Sequence, residues 1–159
     1  MIKTVARKLA EIIGTGFYSG YFPIAPGTVG SAVGVAIYLV FARLGVLTAS
    51  SPLRWVALAA VVFVAGWLSA WQLEQRWGRD HKRIVIDEIW GMLLALALLP
   101  ARPGYIIAAF LLFRFFDIVK PFPARRAEKL GRGVGVMLDD GIVGLYANLL
   151  IHVARLMLR

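Results

Sequence analysis

Five long apolar runs, at about 29–47, 53–73, 84–99, 105–119 and 142–158, leave this chain few ways to fold. Gly, Pro or charged residues separate them, and within each run the apolar residues are contiguous rather than alternating. Contiguous runs suit α-helices, whereas a membrane β-barrel needs strict alternation. A hydrocarbon core of about 30 Å takes about 20 helical residues. The first two runs are long enough alone, and the third and fourth span only by extending into their charged flanks. Hydrophobic residues make up 60% of the 159 residues, above the roughly 45–50% of a soluble domain. The expected fold is therefore all-α: a polytopic membrane bundle of about five helices in a single domain, 1–159. An amphipathic segment at 1–10, carrying Lys3, Arg7 and Lys8, is expected to lie at the membrane interface in front of a Gly/Pro-rich loop.

Basic residues set the expected orientation. Lys3, Arg7, Lys8, Arg76, Arg79, Lys82, Arg83, Lys120, Arg125, Arg126, Lys129 and Arg132 fall on one side of such a bundle. Arg43, Arg54, Arg102, Arg155 and Arg159 fall on the other, with Arg114 inside a segment. The positive-inside rule then places the amino terminus and the two large polar loops in the cytoplasm. The formal charge of +9 reads as attraction to anionic lipid headgroups, not nucleic acid, because the cations flank apolar runs instead of forming a stripe with aromatics. Cysteine is absent, which excludes disulfides, thiolate metal sites and cysteine nucleophiles.

That topology brings Asp80, Asp87, Glu88, Asp117, Asp139 and Asp140 to one membrane depth, although some sixty residues of chain separate the first from the last. Glu11, Glu74 and Glu128 lie among basic neighbours, where ordinary surface pairing accounts for them. A carboxylate in an apolar helix costs on the order of 2.5–3.5 kcal/mol by insertion scales, so Asp87, Glu88 and Asp117 need cationic partners. Arg114 and Lys120, each three residues from Asp117, could serve Asp117 as simple ion pairs. The doublets Asp87-Glu88 and Asp139-Asp140 have no such neighbour in the following turn and point to a divalent metal. Oxygen-only ligands favour Mg²⁺ over zinc, and Mg²⁺ commonly bridges carboxylates and a substrate phosphate. Successive helical residues diverge by about 100°, so one residue of each doublet is expected to coordinate while the other orients or acts as a base.

Two further segments suit phosphate. The stretch 14–31, GTGFYSGYFPIAPGTVGS, runs directly into the first apolar helix. A glycine-preceded helix start offers free N–H groups and a positive dipole end. Thr28 and Ser31 add hydroxyls there, although Thr28 would equally serve as a plain helix cap. The spacing and lysine of a nucleotide-binding P-loop are missing. The stretch 113–123, FRFFDIVKPFP, places Arg114 and Lys120 where they can grip phosphate oxygens.

Four blocks together, 23–31 (PIAPGTVGS), 80–92 (Asp80-His81 followed by IVIDEIWGM at 84–92), 113–123 and 133–140 (GVGVMLDD), resemble the phosphatidylglycerophosphatase A enzymes of bacterial membranes. Arg132 stands where that family often has one of a pair of glycines, and Val143 where it usually has alanine. The resemblance implies a Mg²⁺-dependent phosphatase of the bacterial inner membrane, with its active site facing the cytoplasm. Its implied reaction converts the phospholipid phosphatidylglycerophosphate to phosphatidylglycerol and inorganic phosphate. It implies catalytic roles for Asp80, His81, Asp87, Glu88, Asp139 and Asp140, with metal ligands among Asp87, Glu88, Asp117, Asp139 and Asp140. Gly27, Thr28, Ser31, Arg114 and Lys120 would bind the substrate phosphate. An aspartyl-phosphate route is less favoured without a D-x-D-x-T pattern. Two competing classes remain: an ion-coupled transporter, which would place its acidic site nearer the midplane, and a CDP-alcohol phosphotransferase, whose D-G-x-x-A-R pattern is missing after Asp140-Gly141.

Overall fold

The computed structural model describes residues 2–158, with side chains from Thr4 onward; Arg159 and the Lys3 side chain, both used in the charge count, lie outside the described residues. Seven α-helices and no strand occur among them: α1 Ile2–Gly14, α2 Pro26–Arg43, α3 Pro52–Trp77, α4 Ile86–Ala95, α5 Pro103–Val119, α6 Ala124–Ala127 and α7 Val134–Met157, with one 3-10 turn at Ser19–Tyr21. Proline opens α2, α3 and α5, where its missing N–H costs nothing and its fixed φ suits the helix.

Three helices, α2, α3 and α7, are long and apolar enough to cross a membrane. The expectation of about five is not met. The ten residues of α4 rise only about 15 Å and the seventeen of α5 about 25 Å. The run at 84–99 is shortened at both ends: an irregular segment precedes Ile86, and turns replace the helix after Ala95. The α4 helix sits inside the bundle rather than on its lipid-facing side, with Ile89, Met92, Leu93 and Ala95 at 2% exposure or less. A short apolar helix enclosed by protein is compatible with a membrane interior because its neighbours satisfy its ends.

The helices alternate in direction. Gly27 lies at Glu88 and Gly34 at Met92, while Tyr38 reaches Leu99, so α2 runs parallel to α4. Gly91 lies at Gly144 and Asn148 at Ala95, so α7 runs parallel to them both. Close approach of α4 and α7 requires small residues. A Cβ on Gly144 would strike the Gly91 carbonyl and one on Gly141 the Trp90 ring, the small-residue packing by which membrane helices associate. The starts of α2, α4 and α7 therefore meet at one end of the bundle, and that end holds the site.

Loops around this end are tied down individually. The α1 helix packs on α3, where Gly14 abuts Leu73 and Ser69. Tyr21 donates to Glu11, which also faces Arg76 at 3.9 Å. The hydrogen bond to Glu11, with burial, raises the Tyr21 pKa above its ordinary value. Glu74 does not pair with a surface cation as expected. Its Oε2 accepts the Gly133 N–H at 2.7 Å, so a carboxylate from α3 caps the positive start of α7. Arg132 adopts φ 64, a left-handed conformation that favours glycine.

Candidate functional site

Asp87, Glu88 and Asp140 form the centre of the site. One carboxylate oxygen from each lies within 4.8 Å of the others. Asp87 is 7% and Asp140 3% exposed, and the buried Asp87 Oδ1, Glu88 Oε2 and Asp140 Oδ2 have no hydrogen-bond partner. Asp87 and Glu88 occupy the first turn of α4, where the helix dipole favours negative charge by about 0.3–1 kcal/mol. That falls well short of the several kcal/mol needed to bury even one uncompensated ion. Hard, oxygen-only ligands with orphaned lone pairs converging from two helices are the donor set a divalent cation such as Mg²⁺ takes.

The two doublets behave differently. Both members of Asp87-Glu88 face the cluster, whereas Asp139-Asp140 divides: Asp140 joins it, and Asp139 Oδ2 meets Lys120 Nζ at 2.6 Å. The division expected in each doublet thus occurs only in α7. Lys120 caps α5 in a left-handed conformation and also approaches Glu128 at 3.6 Å. Burial opposes its charge, but the hydrogen bond and charge of Asp139 prevail and raise its pKa above the ordinary lysine value. Lys120 therefore pairs with Asp139 rather than with Asp117.

Asp117 instead takes Arg114, with Arg114 Nη1 at 2.8 Å from its Oδ2, and lies beside Asp140 and Glu88. Arg114 Nη1 also donates to Ser31 Oγ at 3.4 Å. The start of α2 completes this wall. A Cβ on Gly27 would collide with Glu88 Oε1 and stand 3.4 Å from Arg114 Nη1, so only glycine fits without moving them. Ser31 donates to the Gly27 carbonyl at 2.9 Å. Thr28 lies in the same first turn but makes no side-chain cap, because Ala25 holds the N-cap position.

Asp80 and His81 are not brought into this group. Asp80 is exposed in the α3–α4 loop, where it lines a hollow with Arg79, Arg125, Glu128 and Lys129. His81 stacks against Trp77 with ring centroids 5.3 Å apart, and its Nδ1 accepts the Arg83 N–H at 3.3 Å. Gly27 owes its role to an absent side chain and a contact sixty residues away, and only its place before a helix marked it in the sequence. The cations Arg125, Arg126 and Lys129 gather beside Lys120 around a pocket of about 430 Å³; their clustering after Pro123 was visible as charge alone.

Several known proteins are similar to this chain over most of its length. A protein of Bacteroides thetaiotaomicron named "Putative phosphatidylinositol-3-phosphatase" is 45% identical over 152 residues, covering 92% of this chain and 94% of the relative. The phosphatidylglycerophosphatase A of Haemophilus influenzae is 38% identical, covering 89% of this chain and 85% of that one. The Escherichia coli protein of the same name is 31% identical, with 85% and 77% covered. No solved structure matches the chain. The family model for phosphatidylglycerophosphatase A matches residues 12–155, which takes in the α2 start, both carboxylate doublets and the Arg114 helix, so this chain belongs to the phosphatidylglycerophosphatase A family and is a phosphatase.

Proposed function

We propose that the chain hydrolyses the terminal phosphomonoester of phosphatidylglycerophosphate, giving phosphatidylglycerol and inorganic phosphate, with Mg²⁺ held by Asp87, Glu88 and Asp140. The observation that carries the reading is the convergence of those three buried carboxylates, each with an unpartnered oxygen, in a chain of this family. When bound, Mg²⁺ would offset the charge of the monoester and lower the pKa of a water. The chain's own groups do the rest. Arg114, held through Nη1 by both Asp117 and Ser31, presents its remaining donors to the phosphate oxygens. At the α2 start Pro26 has no N–H and those of Thr28 and Val29 donate to the Ala25 carbonyl, so the Gly27 N–H is the one that would stabilise charge building on those oxygens in the transition state. Asp139 is held and oriented by Lys120, which makes Lys120 a positioning residue before it is a phosphate ligand. Asp80 and His81 lie outside this group and have no step in it.

The same bias of basic residues that oriented the sequence supports a bacterial inner membrane location with the site at the cytoplasmic face. Phosphatidylinositol 3-phosphate is the second candidate substrate, favoured by the name of the Bacteroides relative. Both lipids carry a phosphomonoester on a polar group that a phosphodiester joins to diacylglycerol. Detergent-purified protein incubated with each lipid, with and without EDTA, decides between them. Phosphate release from phosphatidylglycerophosphate that EDTA abolishes and Mg²⁺ restores is the expected result. No release with Mg²⁺ or Mn²⁺ rejects the reading, and release from the inositol lipid alone transfers it to that substrate. Arg114→Lys is expected to weaken substrate engagement chiefly, through loss of the planar fork.

A further inference from the structure

Beyond the carboxylates lies a second feature suited to an anion, with a different character. Lys120, Phe122, Arg125, Arg126 and Lys129 surround the pocket of about 430 Å³ at the end of α5. Its cations are not used up by acids. Arg126 stacks over the Phe122 ring at 4.8 Å, Arg125 donates only to the Val119 carbonyl at 3.5 Å, and among the described residues Lys129 forms no ion pair. The acids beside them are Glu128, which faces Lys120, and Asp80, which shares the neighbouring hollow with Arg125 and Lys129 without an ion pair to either. Lys120 is the partition: it lines this pocket, and its ammonium touches Asp139, the chain neighbour of the cluster residue Asp140. A lipid surface adjoins, since Ile118 and Phe122 are 76% and 69% exposed in a chain whose apolar exterior faces hydrocarbon.

We propose that this pocket holds the phosphodiester of the substrate lipid while its monoester lies among the carboxylates, so that the enzyme selects lipids carrying both kinds of phosphate. The inference rests on the function proposed above. Three arguments support it. A pocket lined by cations and lacking carboxylates binds a phosphate without the means to hydrolyse it, which is the treatment the diester needs. The two sites stand on either side of a single lysine, matching phosphates joined by a short polyol. The phosphodiester is also the group that anchors a phospholipid's headgroup to its acyl chains, and the exposed apolar ring of Phe122 forms part of the pocket wall. Arg126 gains further from its stacking, which holds the guanidinium plane ready for bidentate contact.

General attraction to an anionic membrane is the competing explanation, and neutral detergent micelles remove it. In such micelles the full chain bearing Arg126→Gln and Lys129→Gln together is compared with wild type. Expected are a KM for phosphatidylglycerophosphate raised about tenfold and a kcat within about threefold. Inhibition by phosphatidylglycerol, which carries only the diester, weakens by a similar factor, while inhibition by inorganic phosphate, which reports the monoester site, is unchanged. Lys129→Gln alone, which removes no contact within the protein, gives a smaller change of the same pattern and guards against misfolding. An unaltered KM, or an equal weakening of both inhibitors, overturns the proposal. Should wild type release no phosphate from phosphatidylglycerophosphate, the functional reading fails by itself. Direct binding of phosphatidylglycerol then tests the pocket, and equal binding by wild type and variant overturns it.

Discussion

The two ends of the bundle treat buried polar groups in opposite ways. At the end away from the site, Tyr38 donates to the Leu99 carbonyl at 3.0 Å. Asn148 gives both its protons to the Ala95 and Ala97 carbonyls, and His152 approaches Ala97 at 3.3 Å. Those carbonyls belong to the end of α4 and the turns after it, which no further helical residue can satisfy, so side chains from α2 and α7 close the account. At the site end one buried oxygen each of Asp87, Glu88, Asp139 and Asp140 is left open, as is Glu74 Oε1 near the start of α7. A buried polar atom without a partner costs about 1–3 kcal/mol, more when charged. One end therefore shows polar groups that the fold itself satisfies, and the other shows groups left for the cation proposed above.

Substitution at the site end should separate activity from stability. Asp87→Asn or Asp140→Asn keeps shape and removes charge, so phosphate release should fall by about a thousandfold, the several kcal/mol that a metal's charge supplies. Thermal unfolding in detergent without metal should occur at the same temperature or higher, because like charges have been thinned. Wild-type turnover in both variants would remove them from the metal site. Gly27→Ala comes next. Its methyl would displace the Glu88 carboxylate, and a misplacement of about 1 Å can cost about a hundredfold in rate. The unfolding temperature should scarcely change, and a rate within threefold of wild type would show that the close approach is not needed.

These contrasts also separate what could be read in the sequence from what could not. The carboxylates that converge were legible because charge in an apolar helix is costly wherever the helix goes, and that argument needs no coordinates. Helix count was less so. The run at 84–99 is apolar apart from Asp87 and Glu88, yet periodicity does not distinguish a lipid-facing span from a short helix enclosed by others. The partner of Asp139 was equally hidden, since Lys120 is nineteen residues away and reaches it only after α5 ends in a left-handed turn. Glu74 shows the same limit: its neighbours in sequence are basic, but its partner is the Gly133 N–H, fifty-nine residues on. Pairing within a helical turn can be inferred from spacing, whereas pairing across the bundle depends on register.

At the far end the expected losses lie in stability alone. Asn148→Ala strands the Ala95 carbonyl and leaves that of Ala97 with His152 alone, and a destabilisation of about 1–3 kcal/mol is expected. Turnover at a temperature where the variant remains folded should match wild type, because Asn148 lies two helical turns beyond Asp140 on α7.

Tyr38→Phe is the mildest test and the most exacting, since it removes one oxygen and leaves the ring. That ring, 1% exposed and stacked on Trp55 with centroids 5.8 Å apart, keeps its packing. Only the bond to the Leu99 carbonyl is lost, for a net cost of about 0.5–1.5 kcal/mol. The expected result is a small drop in unfolding temperature with KM and kcat both unchanged. A fall in kcat without a fall in stability would mean that the end of α4 transmits its position to Asp87 and Glu88 at its start. The far end would then belong to the catalytic apparatus, and the division between the two ends would fail.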